Sequence, residues 1–334
     1  INLNLLFKIL KYNGIYNLNP YESNSDFIID QKYNLKKQYK SSFYLIKISK
    51  LFFINLKNIY SVYKKFFITK LNPKKINLNT KNILVSYEDC LINRKEDKYF
   101  GKLSEKLNSL NSKNCSEIYI DVFGCRSSSK SILHLVSFFD AIIIFFISQF
   151  FVIYLIIKLL IPNFSSKQVS NKNYYLELLN QPIIYRLLFW DCAFKKFFRI
   201  CKKDSSIVFL AEGSSWEWIL LYNCPSKKKI FGYIHAIARP DQFSLYRLIN
   251  RFSKTKKLSM LLCEDWSLNR LQKFCRKDIS FQKIENLRFN SNLKLKSAIK
   301  KQNIDILVIG GLDGNLTKDL VSYIFSFIKK RKNK

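Results

Sequence analysis

Apolar residues in this chain of 334 residues fall into short consecutive runs that stop at polar turns. ILVSYEDC from Ile83, SEIYIDVFG from Ser116, SSIVFLAEG from Ser205, KIFGYIHA from Lys229, LSMLLCED from Leu258 and DILVIGG from Asp305 all have this form. Each puts Ile, Val, Leu or Phe on neighbouring positions, as a strand requires when both faces of its sheet are covered. Helix-compatible stretches lie between them, among them YFGKLSEKLNSL from Tyr99, WEWILLYN from Trp216, LNRLQKF from Leu268 and LTKDLVSYIFSFI from Leu316. This alternation predicts an α/β protein with parallel, doubly wound sheets. Two Rossmann-like lobes are expected, residues 77–247 and 258–334, divided near 247–257. The second is expected to be truncated, because the chain ends one strand–helix unit past Gly311.

Two stretches do not fit this grammar. Residues 1–76 alternate aromatic and aliphatic runs such as YLIKISKLFFINL with lysines and asparagines, without capping or turn signals, and stay unassigned as a basic, aromatic N-terminal region. Residues 135–161 are almost wholly apolar, with seventeen uncharged residues between Asp140 and Lys158. That length is at the short edge of what crosses a hydrocarbon core of ~30 Å. Ser148 and Gln149 interrupt the run, so the expectation is a buried or membrane-facing helix, with a single span as the alternative.

The formal charge of +33 raises the question of nucleic acid, since clustered Lys and Arg displace counterions from a phosphate backbone. The lysines are spread along the whole chain, which is also rich in Asn, Ile, Phe and Tyr throughout, so no specific nucleic-acid partner is expected. A surface this basic favours anionic lipid headgroups and phosphorylated substrates. Eight cysteines, at 90, 115, 125, 192, 201, 224, 263 and 275, include no C-x-x-C pair, which argues against a zinc site and for reduced cytosolic thiols. A chain that opens on Ile1 and closes on KKRKNK directly after an apolar helical segment fits a fragment.

The richest chemistry lies between Phe209 and Pro240. Ser214 and Glu217 have the S-x-x-E spacing of a capping box, in which serine and glutamate satisfy the free N–H groups of a helix start. Glu212 precedes them in the strand-to-helix turn, where open α/β sheets bind ligands beyond the carboxyl ends of their strands. His235 closes the next strand and, in a parallel sheet, emerges on the same rim. An imidazole or a carboxylate there can take a proton from a sugar hydroxyl. Both residues also have ordinary structural explanations. His134, between Leu133 and Leu135, is expected to be structural. The chain has no D-x-D triplet of the kind that holds a divalent cation on a donor diphosphate. Helix N-termini and cationic side chains must then neutralise any leaving diphosphate. Arg239, Arg288 and the loop Gly311, Asp313 and Gly314 are the candidates for that role. Glu285 either orients Arg288 or hydrogen-bonds a ribose.

The block Glu212-Gly-Ser-Ser-Trp216-Glu217 followed by Gly232-Tyr-Ile-His235 resembles the E-x-x-x-W-E … G-x-x-H signature of a bacterial surface carbohydrate biosynthesis family with GT-B glycosyltransferase character. Ile284-Glu285-Asn286-Leu287-Arg288-Phe289 is similar to that family's V-E-A-L-R-Y element, Ile306–Gly310 to the strand after it, and Tyr99–Phe123 more loosely to its acceptor side. The likeness runs over about residues 97–325, with Gly-Ser-Ser where the family usually has Asn-Gln-x and Asn286 in place of a small residue.

The resemblance implies metal-independent sugar transfer from a nucleotide-sugar, as donor substrate rather than cofactor, to a lipid-linked or glycan acceptor at the cytoplasmic face of the plasma membrane. His235 or Glu212 would be the catalytic base, and Arg239, Glu285, Arg288, Gly311, Asp313 and Gly314 would bind substrate. The departures and the early end leave a second expectation, a non-catalytic, membrane-associated assembly subunit or truncated paralogue.

Overall fold

The computed structural model describes residues 42–71, 76–87, 99–100, 103–110, 115–120, 130–160, 179, 182–235, 242–252, 257–284 and 321–323. The chain divides into two compact units, Ile1–Ser291 and Asn292–Lys334. In the second, the described part is one helical turn at 321–323.

The first unit is built on a parallel sheet whose strands are, in chain order, β1 (Asn82–Tyr87), β2 (Cys115–Ile120), β3 (Ser206–Leu210), β4 (Lys229–Ile234), β5 (Lys257–Leu262) and β6 (Ser280–Lys283). Their spatial order is β2-β1-β3-β4-β5-β6, and every pairing is parallel. Ile83, Leu84 and Val85 are buried in succession, as are Phe209 and Leu210, and Tyr233 and Ile234. Such runs stay dry only with cover on both faces, which helices supply.

Those helices are α1 (Ser42–Leu71), α2 (Leu103–Leu110), α3 (Phe138–Leu160), α4 (Ile183–Ile200), α5 (Ser215–Asn223), α6 (Phe243–Phe252) and α7 (Asp265–Phe274). A short 3-10 turn, Ile132–Leu135, precedes α3; Ser131 caps it through the Leu133 N–H. His134 sits in this turn, and its carbonyl accepts a hydrogen bond from Lys70 Nζ at 2.8 Å, a structural contact. Helix α4 lies between two layers. One side packs on α5, with Phe194 and Trp216 stacked at 6.5 Å between centroids, and the other packs on α1 and α3.

Two expectations change. The division near 247–257 does not separate two sheets, because β5 pairs with β4 from Lys229↔Lys257 to Ile234↔Leu262. Leu258, Met260 and Leu262 are buried in the same core as Ile230 and Tyr233. Residues 258–283 thus extend the first sheet by two strands, and the described residues hold one sheet. A further βα unit in the same sheet has the same local pattern as the opening unit of a new lobe, so sequence alone does not distinguish them. The N-terminal region left unassigned contributes the thirty-residue helix α1. The expected strand at 306–310 lies outside the described residues.

Candidate functional site at the switch point of the sheet

Chain order in the sheet reverses between β1 and β3: the chain leaves β1 for β2 on one side and later returns to place β3 on the other. At such a reversal the connections after the two strands diverge and open a crevice beyond their carboxyl ends. Tyr87 ends β1, and Ala211 and Glu212 follow β3.

The turn after β3 is held from within. Glu217, fully buried on the first turn of α5, accepts from the backbone N–H of Glu212 (3.1 Å), Gly213 (2.9 Å) and Ser214 (3.1 Å). The capping box expected of Ser214 and Glu217 is present, and the glutamate adds bonds to the two residues before the cap. Burial pushes the Glu217 carboxyl up to about 8, against the opposite pull of these three N–H donors. Gly213 has φ +86°, a left-handed conformation open to glycine. A Cβ there would lie 2.5 Å from Leu245 N and 2.5 Å from Ser244 Oγ, so the turn after β3 rests directly on the start of α6.

The candidates Glu212 and His235 meet. Glu212 Oε1 lies 3.5 Å from His235 Nε2; the acid side chain is 33% exposed and the imidazole 8%. This distance is slightly longer than an ordinary hydrogen bond, as is common at catalytic contacts before substrate is bound. The imidazole packs edge-on against Tyr99, with 4.7 Å between ring centroids, and tilts toward Tyr233 at 6.5 Å. The parallel sheet explains the meeting: β3 and β4 are neighbours in register, Leu210↔Tyr233, so the residues just beyond both strands share a rim.

Two tyrosines complete the site. Tyr87 Oη lies 2.7 Å from Ser214 Oγ, and its ring meets Trp216 edge-on at 5.7 Å and Tyr99 at 6.0 Å. Burial, with the Glu217 and Glu212 carboxylates close by, pushes the Tyr87 phenol far above its ordinary range, so it holds its proton. Chemically, this rim offers a partly solvated carboxylate backed by an enclosed imidazole and a phenol hydroxyl. That set suits proton abstraction from a hydroxyl. The turn itself is a poor phosphate cradle, because the N–H groups of residues 212–214 are engaged by Glu217. Among the described residues, no group of three or more His, Cys, Asp or Glu is placed to hold a metal ion, and the described cysteines are free thiols.

Arg239, Glu285, Arg288, Gly311, Asp313 and Gly314 lie outside the described residues. Sequence reasoning missed Tyr87 and Tyr99. Tyr87 had a usable signal, as a polar-tipped residue ending a buried strand run beside the chain reversal. Tyr99 had only the loose likeness of Tyr99–Phe123 to an acceptor side, since its neighbour His235 is set by tertiary packing. No protein-family model matches this chain, and neither a curated protein nor a solved structure matches it.

Proposed function

We propose that this chain is a glycosyltransferase-like protein of surface polysaccharide biosynthesis, and that the crevice beyond β1, β3 and β4 takes the acceptor hydroxyl. The observation that carries this reading is the Glu212–His235 pair at the carboxyl rim of a parallel sheet. Exposure divides the roles between them. Glu212 is the group that reaches solvent, so it is the base that removes the hydroxyl proton, and His235 behind it orients the carboxylate and stabilises its charge. The engaged N–H groups at 212–214 support an acceptor role here, with the donor diphosphate held elsewhere. In this reading Arg239, Glu285, Arg288, Gly311, Asp313 and Gly314 are the candidates for donor binding. Transfer is metal-independent and takes place at the cytoplasmic face of the membrane.

The test is calorimetric binding of a panel of nucleotide-sugars to the full chain, followed by transfer to a lipid-linked acceptor by wild type, Glu212→Gln and His235→Ala. Glu212→Gln should keep donor affinity and lose about a hundredfold or more in turnover, the usual scale of a general base. Undiminished turnover in Glu212→Gln would overturn the assignment. No binding of any nucleotide-sugar would instead favour the assembly-subunit reading, which the altered Gly-Ser-Ser turn already suggests.

A further inference from the structure

Helices α1 and α3 lie side by side and antiparallel: Asn55 Nδ2 donates to Gln149 Oε1, Tyr63 Oη donates to the Ala141 carbonyl at 2.8 Å, and the Phe66 ring meets Phe138. Their buried side mixes apolar side chains, among them Phe66, Ile144, Phe151 and Leu155, with hydrogen-bonded polar groups, and their outer side is apolar as well. Ser148 is fully buried, Asn55 and Asn58 nearly so, and Tyr185 of α4 bonds both Asn55 and Gln149 at the centre of the layer. Outside, Phe139 is 71% and Phe150 79% exposed, with Ile142, Phe146, Ile153 and Ile157 exposed along the same face. At 100° per residue, the exposed positions of α3 fill an arc of about 160° that carries no charge. Phe53, Leu56, Tyr60 and Phe67 of α1 extend this surface. An uncharged apolar outer face over a layer whose buried polar groups are hydrogen-bonded is the arrangement that lipid favours and water penalises.

Charge identifies the occupant further. Lys50, Lys57 and Lys64 are exposed on α1 at intervals of seven, so they form one stripe with a drift of about 20° per repeat. On the helical wheel the stripe borders the apolar face on the side away from the residues that touch α3. Lysine stems lying along an apolar surface with their ammonium groups at its edge match the boundary of an anionic bilayer.

The packing also sets the orientation. From Asp140, paired with Lys196, to Gln149, bonded to Tyr185, α3 lies along α4. Helix α4 carries the Asp191–Lys195 ion pair and packs on α5 beneath the sheet. A helix crossing the bilayer would bring these charges and the α/β layer level with the hydrocarbon core. We infer that α1 and α3 form a docking face that lies in the plane of an anionic membrane, with the apolar residues in the acyl boundary and the lysine stripe among the headgroups. This inference stands independently of the sugar-transfer reading.

The test is flotation of the full chain with vesicles of phosphatidylcholine alone or mixed with phosphatidylglycerol, without nucleotide. Binding should favour the anionic vesicles and weaken with salt. Lys50→Gln/Lys57→Gln/Lys64→Gln should lower binding by about a hundredfold at low salt. Phe146→Ser/Phe150→Ser should lower it by about tenfold or more on both vesicle types. If the phenylalanine variant fails to fold, the lysine variant and the salt series still decide the question. A fluorescent residue placed in turn at 139, 146 and 153 should be quenched by brominated lipids at one shallow depth. A maximum of depth at 146 would indicate a span and overturn the in-plane arrangement. No vesicle binding, with a dimer in sedimentation that the phenylalanine substitutions dissociate, would overturn the membrane and assign the face to a second copy.

Discussion

The sheet layer and the α1–α3 layer share an apolar interior within one unit but differ in what they turn outward. Around the sheet, apolar side chains fill the interior, and the polar groups that matter stand at the rim beyond β1, β3 and β4. In the helical pair, a few amide and hydroxyl groups join apolar side chains such as Phe66, Ile144 and Leu155 in the interior, and phenylalanines also face outward. Glu217 in the first layer is satisfied by three N–H donors, and Tyr185 in the second by Asn55 and Gln149. The lesson is that burial by itself does not define the core of this protein. The two layers are told apart by their outer surfaces, each suited to a different surrounding.

The largest test of that comparison is at Glu217. Glu217→Ala leaves three N–H groups in a dry turn and should cost about 3 kcal/mol, read by denaturant unfolding of the full chain. Its carboxyl is raised from the ordinary value near 4.3 to about 8, so its contribution is complete below the unfolded value and is lost as pH rises through about 8. The gap between wild type and variant should therefore narrow from pH 5 toward pH 8. A gap that widened over that interval would show that the N–H donors prevail and the carboxylate is charged in the fold.

Gly213→Ala comes next. Its left-handed backbone and the 2.5 Å approach to Leu245 N predict a loss of about 2 kcal/mol and a shifted Glu212 turn. Unchanged stability, with Glu212 chemistry intact, would mean that the turn after β3 does not depend on α6.

The smallest expected effect is in the helical layer. Tyr185→Phe removes the hydroxyl shared by Asn55 and Gln149 and should cost about 1 kcal/mol of unfolding free energy in detergent. Phe150→Ser, measured the same way, should stay within about 0.5 kcal/mol, because its side chain contacts solvent rather than core. Reversal of this order would make the exposed face part of an internal core and remove the contrast between the layers.

The strands were legible because runs such as Ile83–Val85 and Phe209–Leu210 are buried on both faces, and that requirement is written on consecutive positions. The meeting of Glu212 and His235 followed from two adjacent parallel strands ending at one rim, so it too could be read. Helix α1 was illegible for a physical reason. It is apolar toward the core at Leu51, Val62 and Phe66, and apolar outward at Phe53, Leu56 and Phe67, which erases the one-sided periodicity by which amphipathic helices are recognised. The misplaced boundary at 247–257 has a similar origin, because α6 and β5 carry no local mark of the sheet they join. Tyr87 and Tyr99 depended on strand order and loop packing, which only the folded chain supplies.

Glu217 has one more consequence for solution behaviour. By filling the concave backbone after β3 with a carboxyl group of the protein's own, it leaves free phosphate, sulfate or a released diphosphate nothing to bind at that turn. Inhibition by such ions, where it arises, originates at other residues, and salts of this kind in a crystallisation or assay buffer leave the Glu212 corner undisturbed.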